Sequence, residues 1–310
     1  MKRFANTLKT TVAVVALMAA PAFAADPLVD VAWLKDNLGA EGMVVIDARG
    51  STDYLRGHIP GAVNTNYGKD GWRVKVDGVP GVFPPDPTKL GELIGNLGID
   101  NDTHVVLVAP GNSSSDMGTA TRMYWTFQVL GHDNVSVLNG GMAAYLAEVD
   151  ADKNPVNPLD KGAADVTAAT FTVALREEML LDEADVSAAM DAGAFMVDNR
   201  TADQYLGVNR HGKAKASGTI PGATNLPQSW MTNNGGGTFR DAGTLAKLYE
   251  AAGVPTEGDQ VSFCNTGHWA SIGWFVSSEI LGNKDAQLYD ASMTGWTAAD
   301  MPMEQQIAAE

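Results

Sequence analysis

The sequence predicts an α/β chain built as two tandem domains, each a parallel sheet flanked by helices on both faces. Two observations predict it. First, the chain repeats itself. Val44-Val45-Ile46-Asp47-Ala48-Arg49 is echoed by Phe195-Met196-Val197-Asp198-Asn199-Arg200, and Tyr54-Leu55 by Tyr205-Leu206. Ile59-Pro60-Gly61-Ala62-Val63-Asn64 returns as Ile220-Pro221-Gly222-Ala223-Thr224-Asn225, and Leu130-Gly131 as Leu281-Gly282, in the same order. Second, short and almost wholly apolar runs alternate with helix-period segments inside each copy, the pattern of parallel strands buried on both faces.

Taken in order, residues 1–24 have a basic start (Lys2, Arg3, Lys9), an apolar run over 12–20, and small residues Ala22 and Ala24 before Ala25. That is the form of a secretory signal peptide, and the run is too short to span a bilayer. Cleavage after Ala24 would send the mature chain to the periplasm. The first domain occupies 28–150, with strands at 43–47 and 105–108. Its helices are expected at 88–97 and 120–130, each stopped by a glycine, Gly98 and Gly131. A Pro- and Asp-bearing stretch, 151–170, reads as the linker. The second domain, 171–300, repeats the scheme with strands at 195–198 and 260–263. Its helices fall at 244–252 and 270–281, closed by Gly253 and Gly282. It also carries a polar insertion, 207–218, containing Arg210, His211, Lys213 and Lys215.

Composition narrows the function. The 310 residues are 45% hydrophobic and 19% charged, with a formal charge of −16. Loss of the basic leader would make the mature chain more negative still. Such a charge repels phosphate and disfavours nucleic acid or an anionic membrane as the main ligand. A single cysteine excludes an internal disulfide, a CxxC redox pair and multi-cysteine zinc or iron–sulfur sites. The five histidines (His58, His104, His132, His211, His268) show no ligand spacing, so no metal is expected.

Chemistry concentrates at the lone cysteine. Strand 260–263 runs into Cys264-Asn265-Thr266-Gly267-His268-Trp269-Ala270, and a helix follows. A residue at the carboxyl end of a parallel strand lies where open α/β sheets bind ligands. The strand-to-helix turn can aim successive N–H groups at the sulfur, and the helix N-terminus adds partial positive charge. Both favour a reactive thiolate. The alternative is a buried, inert thiol acting as a small apolar residue, and Gly267 with its polar neighbours favours the reactive one.

The assembled pattern resembles the rhodanese (sulfurtransferase) family in its tandem two-domain form. The resemblance rests on the Asp-x-Arg segments (Asp47/Arg49 and Asp198/Arg200), the two Ile-Pro-Gly-Ala turns and the loop opened by Cys264. The stretch 120–125 adds to it, as does Leu288-Tyr289-Asp290-Ala291-Ser292-Met293-Thr294-Gly295-Trp296. It implies a catalytic second domain and a first domain without its cysteine, with Ala109 standing opposite Cys264. It implies transfer of a sulfane sulfur from thiosulfate or 3-mercaptopyruvate to a thiol or cyanide through a Cys264 persulfide, without cofactor. The backbone of Asn265, Thr266, Gly267, His268, Trp269 and Ala270 would contact the donor. Arg200 is a candidate anion contact, with a structural brace to Asp198 as its alternative. Two basic positions expected from the resemblance are absent: the loop lacks Arg or Lys, and Gln204 stands where many relatives have Arg. A protonated His268 or the insertion (Arg210, Lys213, Lys215) would compensate, and Trp269 would wall the pocket or pack between domains. A cysteine phosphatase would need Arg six positions after the cysteine, where Ala270 stands. A non-catalytic or partner-loaded sulfur carrier on the same scaffold is the remaining alternative, and turnover with small donors distinguishes it.

Overall fold

A computed structural model describes residues 25–307; the leader expected over 1–24 lies outside the described residues. The first domain runs β1 (Leu28–Val29), α1 (Val31–Asn37), β2 (Met43–Asp47), α2 (Ser51–Arg56), β3 (Val63–Asn64), β4 (Val74–Val76), β5 (Val79–Val82), α3 (Thr88–Asn96), β6 (His104–Val108), α4 (Ser114–Val129), β7 (Val135–Leu138) and α5 (Gly141–Leu146). The second runs α6 (Glu183–Asp191), β8 (Phe195–Asp198), α7 (Ala202–Tyr205), β9 (Thr224–Asn225), α8 (Ala242–Ala252), β10 (Gln260–Phe263), α9 (His268–Phe275), β11 (Ala286–Leu288) and α10 (Ser292–Ala298). Both main sheets are parallel, in the orders β1-β7-β6-β2-β3 and β11-β10-β8-β9, while β4 and β5 form a separate antiparallel hairpin. No helix among the described residues is long and apolar enough to cross a membrane.

The repeat is exact at the level of register. Asp47 pairs with Val108 in the first sheet and Asp198 with Phe263 in the second, so the next residues, Ala109 and Cys264, are equivalent. The strands fall where the apolar runs placed them. Three helices begin earlier than their apolar periodicity suggests. Helix α8 starts at Ala242, where Asp241 caps its first turn. Helix α4 starts at Ser114 rather than 120, because Ser113 and Asp116 close a reciprocal capping box around its first amides. Helix α9 starts at His268 and gives way at Val276–Ile280 to a wider π-type turn.

Helices α4 and α9 pack against each other between the two sheets, joined by a 2.8 Å hydrogen bond between the Thr121 and Ser271 hydroxyls. Both are therefore buried on nearly every side; α9 is apolar around most of its circumference, whereas α4 also buries polar residues such as Thr121, Arg122 and Thr126. One core cluster runs through them, from Val105, Leu107 and Phe127 to Ile272, Phe275 and Cys264. Separate clusters cover the outer faces, around Leu34 and Tyr145 on one side and Met196 and Trp296 on the other.

The connecting chain does not simply span the domains. Ala169, Ala174 and Arg176 donate their amides to Gly95, Leu130 and Val129 of the first domain, and Phe171 packs edge-on against Phe127 and His132. Residues 171–176, expected in the second domain, thus lie on the first. The glycine at 95 permits the approach, since a Cβ there would stand 2.7 Å from the Ala169 carbonyl oxygen.

Each sheet carries the same brace. Arg200 binds Asp198 through Nε and Nη2 (2.9 and 2.5 Å) and the Gly218 carbonyl at 2.7 Å, while Thr219 donates to the same carboxylate. Arg49 and Asp47 repeat it with the Gly57 carbonyl. Arg200 is 1% exposed and occupied in this way. The structure therefore corrects its assignment as a donor-anion contact: it ties the end of β8 to the Ile-Pro-Gly turn.

Candidate active site

Cys264 leaves the end of β10, and Gly267 turns the chain into α9 with a φ of +72°. A side chain at 267 would be strained at that φ and would collide with Arg122 Nη1 and the Asp290 carbonyl, so glycine is required on both counts. The loop is pinned from α10. Ser292, held at φ +51°, accepts the amides of Cys264 (3.0 Å) and Gly267 (3.2 Å) on its hydroxyl oxygen and donates to the Tyr289 carbonyl. The same oxygen lies 4.0 Å from Cys264 Sγ. Met293 and Thr294 donate their amides to the Cys264 and Asn265 carbonyls, and the Asn265 side-chain amide donates to Gln204 Oε1. Among the described residues, the amides of Asn265, Thr266, His268, Trp269 and Ala270 meet no acceptor. They are the donors from which an anion cradle can be made.

The sulfur is not at an open rim. Cys264 is 1% exposed and belongs to the central core cluster. The sequence places it correctly at the sheet edge but misses how the first domain packs over its loop. Asp290, two residues before Ser292, accepts from Arg122 Nη2 (2.7 Å) and from the Phe83 amide at the end of the hairpin (2.6 Å). Arg122 is fully buried, lies over the Trp125 ring at 4.5 Å, and among the described residues has no hydrogen-bond partner on Nε or Nη1. Arg73 donates to Tyr67 Oη at 3.1 Å and reaches the Thr266 carbonyl at 3.4 Å.

His268 sits inside this interdomain contact. Its Nε2 lies 2.8 Å from the Ser115 carbonyl, which can only accept, so Nε2 carries the proton and Nδ1 accepts from Tyr67 Oη at 3.1 Å. Burial first, and then the charge of Arg73, lower its pKa to about 4. At neutral pH the ring is uncharged, which corrects the expectation of a protonated His268 binding an anion. Trp269 donates to Ser115 Oγ at 2.9 Å and so packs between the domains. Two cations of the insertion are spent elsewhere: Arg210 donates to the Ala214 carbonyl, and Lys215 reaches the Ala298 carbonyl and Asp300, while Lys213 is exposed.

A pH dependence follows. The unfolded His268 takes a proton near 6.5, whereas the folded ring does not until about 4. The stability it contributes is whole above pH 6.5 and is lost as pH falls through that window, by about 3 kcal/mol in total. Denaturant titrations at stepped pH should show this loss in the native protein and a shallower acid limb in His268→Gln. His104 and His132, also lowered by burial, act in the same direction but are present in both proteins, so the difference isolates His268.

Sequence reasoning missed Tyr67, Arg73 and Ser115 altogether. Arg122, Asp290 and Ser292 fall inside stretches that carried the family resemblance, and that was the signal available for them.

The rhodanese-like domain model matches the chain twice, over residues 30–148 and 182–299. A thiosulfate sulfurtransferase of Corynebacterium glutamicum is 32% identical, the match covering 89% of this chain and 90% of that protein. The sulfur carrier protein TtuD of Thermus thermophilus is 31% identical over 87% of this chain and 93% of its own. In fold, the chain is similar to SseA of Escherichia coli, described as a 3-mercaptopyruvate sulfotransferase. That likeness has a TM-score of 0.69 at 23% identity, covering 86% of this chain and 98% of that one.

Proposed function

This chain belongs to the rhodanese-like domain family and is a sulfurtransferase, and we propose that it moves a sulfane sulfur from thiosulfate or 3-mercaptopyruvate to a thiol or cyanide through a persulfide on Cys264. With thiosulfate, the Cys264 thiolate attacks the outer sulfur. The sulfur–sulfur bond of the donor breaks, and sulfite leaves with the bonding electron pair. The acceptor then attacks the terminal sulfur of the persulfide and regenerates the thiolate. The loop amides stabilise the charge carried by the terminal sulfur and the departing oxyanion. With Cys264 1% exposed, access to the sulfur lies along the first-domain contacts over the loop, at Arg73 and Phe83. We also read residues 1–24 as an export signal and the mature chain as periplasmic.

The observation that carries this reading is the sole cysteine of the chain, placed at the carboxyl end of β10 with five amides on the loop that follows it that meet no acceptor among the described residues. Reduced protein incubated with either donor should gain one sulfur atom, located on Cys264 by peptide mass spectrometry. No adduct with either donor would remove the assignment. A carrier loaded by another protein is the second reading, favoured by the name of the Thermus relative. Multiple turnovers with a small donor and cyanide support the enzyme, and a single loading without turnover supports the carrier.

A further inference from the structure

We propose that the charge which recognises the anionic donor is supplied across the domain interface by Arg73 of the first domain; the inference rests on the sulfurtransferase reading above and names the donor contact that the catalytic domain lacks. The loop from Cys264 to Ala270 holds no cationic side chain, since His268 is neutral and Gln204 stands where a second-domain arginine was expected. Arg200, the insertion arginine and Lys215 are bound elsewhere. From the Cys264 loop itself, a small dianion such as thiosulfate would then meet amides and no cationic side chain, in a chain of net charge −16.

Arg73 fills that gap. It lies just before β4, half-buried, with its guanidinium on the Thr266 carbonyl of the loop. Among the described residues it makes no ion pair, and its hydrogen bonds go only to the Tyr67 hydroxyl and that carbonyl. A cation held beside free amides without a carboxylate of its own retains N–H groups for an incoming oxyanion. The first domain is also built to hold it there. Gly81 of β5 has a φ of +84°, and a Cβ at that position would collide with Arg73 Nη2. The Tyr67 hydroxyl, fixed by His268, accepts from Nη1 and sets the plane of the guanidinium. Behind the loop, the buried Arg122, its charge balanced by Asp290, places an Nη1 without a hydrogen-bond partner among the described residues next to Gly267. Cysteine chemistry resides in one domain and anion recognition in the other, which gives the cysteine-free first domain a role in donor binding.

The test compares the full chain with Arg73→Met, Arg73→Lys and Gly81→Ala, the last keeping the charge but displacing the guanidinium. In steady-state transfer from thiosulfate to cyanide, Arg73→Met should raise KM by about ten- to a hundredfold, the scale of one charge-assisted hydrogen bond, with a much smaller change in kcat. Arg73→Lys should recover part of the loss and Gly81→Ala should share it. A second readout uses the sole cysteine. The rate of Cys264 alkylation by anionic iodoacetate, relative to neutral iodoacetamide, should fall by a similar factor in Arg73→Met while the iodoacetamide rate holds. A KM within about twofold of the native value, or a parallel change in both alkylation rates, would overturn the proposal and leave Arg73 a purely structural contact. If the native protein takes no sulfur from thiosulfate, the reaction assignment fails on its own, and the alkylation ratio still decides the arginine. A lowered ratio then supports the anion contact and an unchanged one overturns it.

Discussion

Cys264→Ser is expected to bring sulfur transfer from thiosulfate to cyanide down to the uncatalysed background, a loss of about 10⁴-fold or more. The reason is specific to this chain. It contains no second thiol to take over, and its loop amides stabilise charge on sulfur without supplying a nucleophile. A serine hydroxyl is not ionised near neutral pH, and the nearby groups that could take its proton are engaged. Ser292 Oγ spends its hydrogen on the Tyr289 carbonyl, and His268 Nδ1 is taken by Tyr67. The fold should survive, because the substitution changes one atom in a site already lined by the Ser292 hydroxyl. Its cost is that of a partly satisfied buried hydroxyl, about 1 kcal/mol. Unchanged circular dichroism together with loss of both the persulfide mass and cyanide turnover is the expected result. Transfer within about tenfold of the native rate would mean that another group carries the sulfur.

The second large effect is expected at Asp290, on stability and activity together. Among the described residues, its carboxylate is the only hydrogen-bond partner of a fully buried guanidinium and also takes the Phe83 amide, so it joins helix α4 and the β4–β5 hairpin to the turn before Ser292. Asp290→Ala leaves Arg122 as an uncompensated buried charge and should cost about 3–5 kcal/mol in denaturant unfolding. Ser292 holds the Cys264 and Gly267 amides from two residues away, so the loop should loosen and turnover should fall with stability. Asp290→Asn keeps acceptors at both contacts and should cost less. Arg122→Met combined with Asp290→Ala removes both charges, and its total should be well below the sum of the single changes. A cost under about 1 kcal/mol for Asp290→Ala would show that this contact does not hold the domains together.

Much of the fold was legible because strand and helix signals are local. The apolar runs at Met43–Asp47, Phe195–Asp198 and Gln260–Phe263 mark strands, and the Ile-Pro-Gly-Ala turns align the two copies. The early start of α4 was hidden by its polar first turn, where Ser113 and Asp116 act through capping rather than through periodicity. The site was legible only in part. Cys264 and Gly267 declare themselves by the strand–loop–helix junction around them. Arg73 lies nearly 200 residues from the loop it touches, in a polar stretch with no period, and nothing local distinguishes it from a solvated arginine. His268 shows the opposite failure: its position was evident, but its charge depends on its surroundings.

By itself, the sequence determined the duplication, two strands and two helices in each copy, the equivalence of Ala109 and Cys264, and the placement of the one thiol at the carboxyl end of a strand. All of these follow from backbone geometry and from which faces must leave water. Tertiary structure alone decided the burial of that thiol, the neutrality of His268, the brace made by Arg200, and the approach of Arg73 and Arg122 from the other domain. Desolvation and Coulomb interactions depend on distance through space, and packing α4 against α9 brings together charges that the chain keeps far apart.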